Sequence, residues 1–306
     1  MISLKCKSCG AEMAIDRSGE VFCDHCGNHS FFSDKDLAAY KSFRGNMLNY
    51  LRAMAERGEK SEEENNRLWE AAETLKLRTE DGTDINIEYL YSSDNNGVTM
   101  YMARTSVIFI FDKGKKNLVE KLDSNLSMLT FPAADMKNLN ECFPRINGRF
   151  LLADGRYMLV IQRDNSFFPL SMFGALEPVH AAWIVSRMEN IACVLAFSGI
   201  SHNGISPDSV FINPVTHEAA LLGNWWMAEA LPEEPKGINE DLMDLRKTAK
   251  YAMGTFIGNA PKEFADFLNE KVKKEAFDDF ADWDKVIEKG FGGRRFVKMN
   301  LEDAIF

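Results

Sequence analysis

Two parts of this sequence carry residue types at spacings that could do chemistry. The first is a pair of C-x-x-C knuckles, Cys6-Lys7-Ser8-Cys9 and Cys23-Asp24-His25-Cys26, each followed by a glycine. A C-x-x-C turn points two thiolates at one ion, and the glycine permits the positive-φ geometry such a turn wants. Thirteen residues separate the pairs, enough for a hairpin that returns the second knuckle to the first. Four thiolates suit tetrahedral zinc, so the expected ligands are Cys6, Cys9, Cys23 and Cys26 of a structural zinc ribbon. A redox pair or an iron site is the rival reading, and His25 and His29 are spare donors. So short a segment has almost no core, and metal binding would supply its folding energy. Its charges nearly balance, with Lys5, Lys7 and Arg17 against Glu12, Asp16, Glu20 and Asp24. That favours a structural or protein-facing role over nucleic acid.

The second part is residues 201–227, which read as loop, strand, turn, strand, loop. The strands are Ser209-Val210-Phe211-Ile212 and Ala219-Ala220-Leu221-Leu222, with Asn213-Pro214 supplying the turn chemistry between them. His202, Asp208, Asn213 and Asn224 are its chemically versatile side chains.

This stretch resembles the catalytic loop and metal-binding loop of the protein kinase fold, whose pattern is H-x-D-x-x-x-x-N, a short hairpin, then D-F-G. His202 takes the histidine position and Pro207 the proline before the metal-ligand position. Gly204 stands where the resemblance places the catalytic aspartate, Ser209 where it places the asparagine metal ligand, and Gly223 where it places the magnesium aspartate. Phosphoryl transfer needs carboxylates to hold the metal and a residue to orient the attacking hydroxyl, and glycine does neither. The resemblance therefore implies a pseudokinase, with the scaffold of the site kept and its chemistry gone. It also implies that Asp241 braces the backbone of the loop from a central helix. An atypical phosphotransferase is the alternative, with Asp208, Asn213 and Asn224 forming a displaced metal site. Against it, Asp208 reads as a loop cap and the two asparagines as turn residues. A third reading is a nucleic-acid-associated protein acting through the ribbon.

The elements that must position these residues follow from the periodicity. Ser33 with Asp36 caps a helix to about Arg57, and Tyr40, Phe43, Met47, Tyr50 and Met54 form an apolar stripe along it. Packing on the next helix is the simpler use of that stripe, and a short coiled-coil surface the sharper one. Ser61-Glu62-Glu63-Glu64 caps the second helix, expected through about Leu75. Strands are expected at 85–91, 97–105 and 106–111, then at 143–152 and 156–162, around a helix at 117–129. In the resemblance these are the small lobe. The turn 92–97, where the glycine-rich phosphate loop would be, holds one glycine and an aspartate. The third strand, Val107-Ile108-Phe109-Ile110-Phe111, lacks the phosphate-pairing lysine, which leaves Glu120 an ordinary surface acid and Lys113, Lys115 and Lys116 an exposed basic turn. Residues 167–170 are the expected hinge. A helix at 178–198 leads to His202, and further helices start at Asn239, Pro261 and Asp278. Trp225, Trp226, Phe109 and Phe111 are the candidates for filling the old nucleotide cleft.

The expected architecture is α+β: a ribbon at 1–32, a helical hairpin at 33–76, and a bilobal kinase-like domain with its small lobe at 77–170 and its large lobe at 171–306. The 306 residues accommodate this, and no apolar run reaches the length of a membrane span. With no signal-peptide core at its start, a cytoplasmic location is expected. A net charge of -10 argues against general nucleic-acid binding. The expected partner is another protein, met by a non-enzymatic scaffold or regulator for which ATP is not a ligand.

Overall fold

The computed structural model describes residues 4, 6, 8, 13–15, 21–23, 28–30, 32–57, 61–131, 139–231 and 239–305. At the N-terminus, β1 (Ala14–Ile15) and β2 (Val21–Phe22) pair as an antiparallel hairpin. Leu4, Cys6, Met13, Val21 and Cys23 bury together against Tyr40, near the head of the first helix.

That helix, α1 (Asp34–Arg57), starts at the expected capping box: the Asp36 N–H donates to Ser33 Oγ at 3.2 Å, and Ser33 Oγ donates to Asp36 at 2.6 Å. Its stripe does more than meet the next helix. Phe43, Met47, Tyr50, Leu51 and Met54 enter the main core, where the Tyr50 ring meets Phe168 edge-on at 6.3 Å. Arg44 donates to the Met172 carbonyl. The helix therefore packs along the segment joining the two lobes. The second helix, α2 (Glu62–Trp69), is capped by Ser61 as expected, but it stops at Trp69. Residues expected as its last turn form β3 (Glu73–Arg78), in which Leu75 and Leu77 share one face. An alternating apolar pattern next to an available strand edge prevails there over helix propensity.

The sheet continues with β4 (Asp84–Asn95), β5 (Val98–Ala103) and β6 (Ser106–Phe111). After α3 (Lys116–Ser127) come β7 (Ile146–Leu151) and β8 (Tyr157–Gln162). The strands are antiparallel throughout, in the order β3-β4-β5-β6-β8-β7. Asn96 and Gly97 both take positive φ between β4 and β5, as a two-residue hairpin turn requires. The sheet curls until its two edges meet: the Glu80 N–H donates to the Leu151 carbonyl, and the Ala153 N–H to the Arg78 carbonyl, each at 2.8 Å. Strand β6 is apolar on both faces. Ile108 and Ile110 point into the curl with Leu77, Ile87, Leu152 and Met158, while Val107, Phe109 and Phe111 join the main core.

β9 (Phe168–Pro169) falls in the expected hinge and pairs with a strand of the helical part. That part holds α4 (Pro178–Phe197), β10 (Ile200–Ser201), β11 (Val210–Asn213), β12 (Glu218–Leu221) and β13 (Glu229–Ala230). It ends with α5 (Glu240–Met253), α6 (Lys262–Asn269), α7 (Ala276–Phe291) and α8 (Leu301–Ile305). The last of these was not expected. It lies along α1, with Arg52 and Glu302 paired at 3.0 Å, and Ala304 accepts from the Gly174 N–H at 2.8 Å. Helices α4, α5 and α7 enclose a buried ionic group. Arg246 grips both oxygens of Asp279 at 2.7 and 2.8 Å and lies 4.0 Å over the Phe267 ring. Glu189 of α4 is fully buried in the same region.

The result is a sheet-rich lobe and a helix-rich lobe joined at 168–172. The sheet starts at Glu73, inside the stretch expected as helical hairpin.

Candidate functional site

The loop from 201 to 209 is shaped by one carboxylate. Asp241, in the first turn of α5, accepts the backbone N–H groups of His202 and Asn203 at 2.8 Å each, and Ser201 Oγ at 3.2 Å. This is the bracing role expected of it. Burial pushes the Asp241 carboxyl up, and these hydrogen bonds pull it back. His202 is fully buried and donates Nε2–H to the Gly223 carbonyl at 3.0 Å, with Trp225 edge-on at 4.9 Å. Burial drives its pKa down to about 3, so it is a neutral structural link between the two loops. Asp241 and His202 thus tie the 201–209 loop to α5 and to the 222–223 segment.

Gly204, Ser209 and Gly223 are packed into this contact. A Cβ on Gly223 would lie 2.7 Å from Ser209 Cα and 3.0 Å from Ser209 Cβ. A Cβ on Gly204 would lie 2.8 Å from Asn224 Cβ and 3.0 Å from Met227 Sδ. Ser209 is fully buried and closes its own turn: its hydroxyl accepts from the Ser206 N–H at 2.8 Å and donates to the Ser206 carbonyl at 3.0 Å. The Leu222 and Gly223 N–H groups donate to the Ser209 carbonyl at 3.0 and 3.1 Å. The two loops sit closer than side chains at the glycine positions would allow.

The versatile side chains are committed elsewhere. Asp208 accepts from Tyr91 Oη at 2.5 Å, and that hydroxyl accepts from Ser171 Oγ at 2.9 Å. Asn224, at φ 61, donates to the Gly204 carbonyl at 2.9 Å and to Ser206 Oγ at 3.2 Å. Its oxygen accepts from Asn95 at 3.3 Å. Asn213 holds its own turn through the N–H groups of Val215 and Thr216 and donates to Ser166 Oγ at 3.1 Å. Asp208, Asn213 and Asn224 therefore do not converge. Among the described residues no three His, Cys, Asp or Glu side chains cluster as metal ligands.

Tyr91 and Asn95 were missed in the sequence. Both lie on β4 and reach across to the helical lobe, more than a hundred residues away in the chain. Only the turn 92–97, which holds Asn95, drew attention near them. Lys121 and Glu229, paired at 2.8 Å, and Asn125, which donates to the Ala228 carbonyl at 2.6 Å, add two more ties from α3. Trp226 meets Phe109 and Phe111 of β6 edge-on at 5.1 and 5.7 Å, a further contact between the two lobes. On β6 no lysine is present, Lys115 donates to the Asn96 carbonyl, and Glu120 pairs with Lys116 at 3.3 Å on the surface.

Of the four expected zinc ligands, Cys6 and Cys23 are buried side by side in one small cluster. The Ser8 N–H points at Cys6 Sγ at 3.4 Å, a donor placed to favour a thiolate. Cys9 and Cys26, with His25, lie outside the described residues. Cys142 and Cys193 are partly buried, and burial raises their thiols to about 11 and about 12, consistent with inert core residues.

No protein-family model matches the chain, and no curated protein matches it in sequence. Solved structures similar to it include the BubR1 kinase domain, at 9% identity and a TM-score of 0.48, over 71% of this chain and 85% of that one. A Toxoplasma gondii specific rhoptry antigen kinase domain is similar at 8% identity and a TM-score of 0.45, over 81% and 98%. The Drosophila melanogaster PAN3 pseudokinase is similar at 10% identity and a TM-score of 0.45, over 72% and 66%.

Proposed function

We propose that this chain is a kinase-like protein without phosphoryl-transfer activity, a pseudokinase that works in the cytoplasm as a scaffold or regulator by binding another protein. The observation that carries this reading is the space at Gly204 and Gly223. Glycines at these positions offer no carboxylate to hold magnesium or orient a hydroxyl, and neighbouring atoms stand within 3.0 Å of where a Cβ would lie. The ties from Tyr91 to Asp208 and from Asn95 to Asn224 support it, since they use up polar groups that a nucleotide would have to meet. A structural zinc held by Cys6, Cys9, Cys23 and Cys26 belongs to the same reading. The burial of Cys6 beside Cys23 and the N–H directed at Cys6 fit it. Among the described residues no helix is long and apolar enough to cross a membrane.

The test is a thermal-shift titration of zinc-replete protein with ATP, with and without magnesium. A nucleotide present at a hundredfold excess over its Kd would add about 2.7 kcal/mol to stability. In a chain of this size that is a rise of roughly 5–10 °C. The expected result is no shift into the millimolar range. A saturable, magnesium-dependent rise would overturn the proposal and bring the displaced-site enzyme forward.

A further inference from the structure

A cavity of about 340 Å³ opens on the helical lobe between α4, the β11–β12 turn and the segment after α7. Three rings are stacked in its wall. The His217 imidazole lies 4.7 Å from Trp183, with planes 5° apart, and 4.2 Å from Phe296, with planes 25° apart. His217 holds positive φ at the end of the hairpin turn, where Arg187 Nε donates to its carbonyl at 2.8 Å. The position is fixed rather than loose.

Among the described residues, two polar atoms of this wall have no hydrogen-bond partner. They are Trp183 Nε1 and His217 Nε2, both sealed from water. His217 is only 6% exposed. An indole N–H can only donate, so what it lacks is an acceptor. A buried polar group left without a partner calls for a reason.

The charge of the cavity runs against that of the chain. The net charge is -10, yet among the described residues the lining includes Arg187, Arg294 and Arg295 and no aspartate or glutamate. Arg294 is committed to Asp284. Arg187 keeps its terminal guanidinium nitrogens after the bond to His217, and Arg295 is exposed at the rim. Guanidinium groups are the side chains best matched to carboxylate and phosphate oxygens. The volume lies in the lower part of the range for small-ligand sites, roughly 300–1,000 Å³.

We propose that this cavity binds a small organic anion carrying a flat ring. The ring would lie on an outer face of the Trp183–His217–Phe296 stack, with the oxyanion held by Arg295 and Arg187. A carboxylate and a phosphate monoester share this chemistry. The site shares none of the positions on which the pseudokinase reading rests.

The test follows the indole N–H of Trp183 by nitrogen-15 NMR in the full chain, with the resonance assigned through Trp183→Phe. Benzoate and phenyl phosphate are the two anionic probes, and phenol is the neutral control. The expected result is a saturable shift of the Trp183 resonance with at least one anion, and the stronger of the two identifies the headgroup. Arg295→Ala, an exposed site whose loss leaves the fold intact, should weaken that anion about tenfold through the lost charge-assisted bond. The inference is overturned if neither anion shifts Trp183, if phenol shifts it equally, or if Arg295→Ala binds as well as the parent. Shifts confined to Trp225 and Trp226 would place the ligand between the lobes, which overturns this inference and counts instead against the pseudokinase reading.

Discussion

Gly223→Ala and Gly223→Asp test the argument from space directly. The new Cβ would meet Ser209 Cα at 2.7 Å, Ser209 Cβ at 3.0 Å and the Asp208 carbonyl oxygen at 3.4 Å. The nearest of these is backbone, which cannot rotate away. Relief requires the 206–209 turn and the 222–223 segment to part, which strains two N–H bonds to the Ser209 carbonyl. Overpacking of this kind costs about 1–3 kcal/mol, and a weakened hydrogen bond costs about another 1 kcal/mol. Gly223→Ala should therefore lose about 2–4 kcal/mol. At roughly 2–4 °C per kcal/mol for a chain of this size, that is a fall in Tm of between about 4 and 16 °C. Gly223→Asp should lose more, because it also buries a carboxylate. Gly258→Ala is the control: nothing lies within 4 Å of its Cβ, and its effect should stay within about 0.5 kcal/mol. Urea and thermal midpoints of the three variants, each measured with and without magnesium and ATP, supply the readout. The reasoning is refuted if Gly223→Ala melts with the parent protein. It is refuted equally if Gly223→Asp folds stably and gains a magnesium-dependent nucleotide shift.

Asp241→Asn should destabilise by about 1–3 kcal/mol, since an amide can accept only one of the two backbone N–H groups now held at 2.8 Å and turns its own N–H₂ towards the other. Urea midpoints check this, and loss of hydrogen-exchange protection at His202 and Asn203 should accompany it. Burial first, then Asp279, push the Glu189 carboxyl well above the usual range. The fold therefore holds a proton that the unfolded chain releases, and stability falls as pH rises from the unfolded carboxyl value of about 4.3 towards the raised one. Glu189→Gln keeps the neutral shape, so its urea midpoint should equal the parent's at about pH 4 and match or exceed it at about pH 8. A steeper decline in the variant would contradict the assignment. Purified protein should carry about one zinc per chain by metal analysis, and Cys9→Ser should release it. Full zinc occupancy in that variant would remove Cys9 from the ligand set.

The central loop was legible because its information is local. His202, Gly204, Ser209 and Gly223 lie within 22 residues of one another, and the structure ties His202 to the Gly223 carbonyl and packs Gly223 on Ser209. The helix start at Asn239 was legible from its cap, whereas Asp241 was singled out only by the resemblance. Caps at Ser33 and Ser61 and the start of α4 at Pro178 are likewise short-range signals. What stayed hidden depends on residues far apart in the chain. Residues 73–78 are a strand because β4 offers an edge, a fact absent from the hexapeptide itself. The stripe on α1 announced burial but not that the 168–172 segment would be its partner. The wall of the cavity draws Trp183, His217 and Phe296 from three separate elements, and in isolation each reads as an ordinary aromatic.

The curl of the sheet limits how a partner can attach. A sheet normally offers its border strands as templates, and many proteins recruit peptides by adding a strand there. Here β3 covers the outer side of β4, and the chain just beyond β3 is stitched to the end of β7 through residues 78–80 and 151–153. At that end the backbone groups are already spoken for. A protein that docks at that end would read side chains, by shape and charge, and its affinity there should respond to surface substitutions rather than to a competing extended peptide.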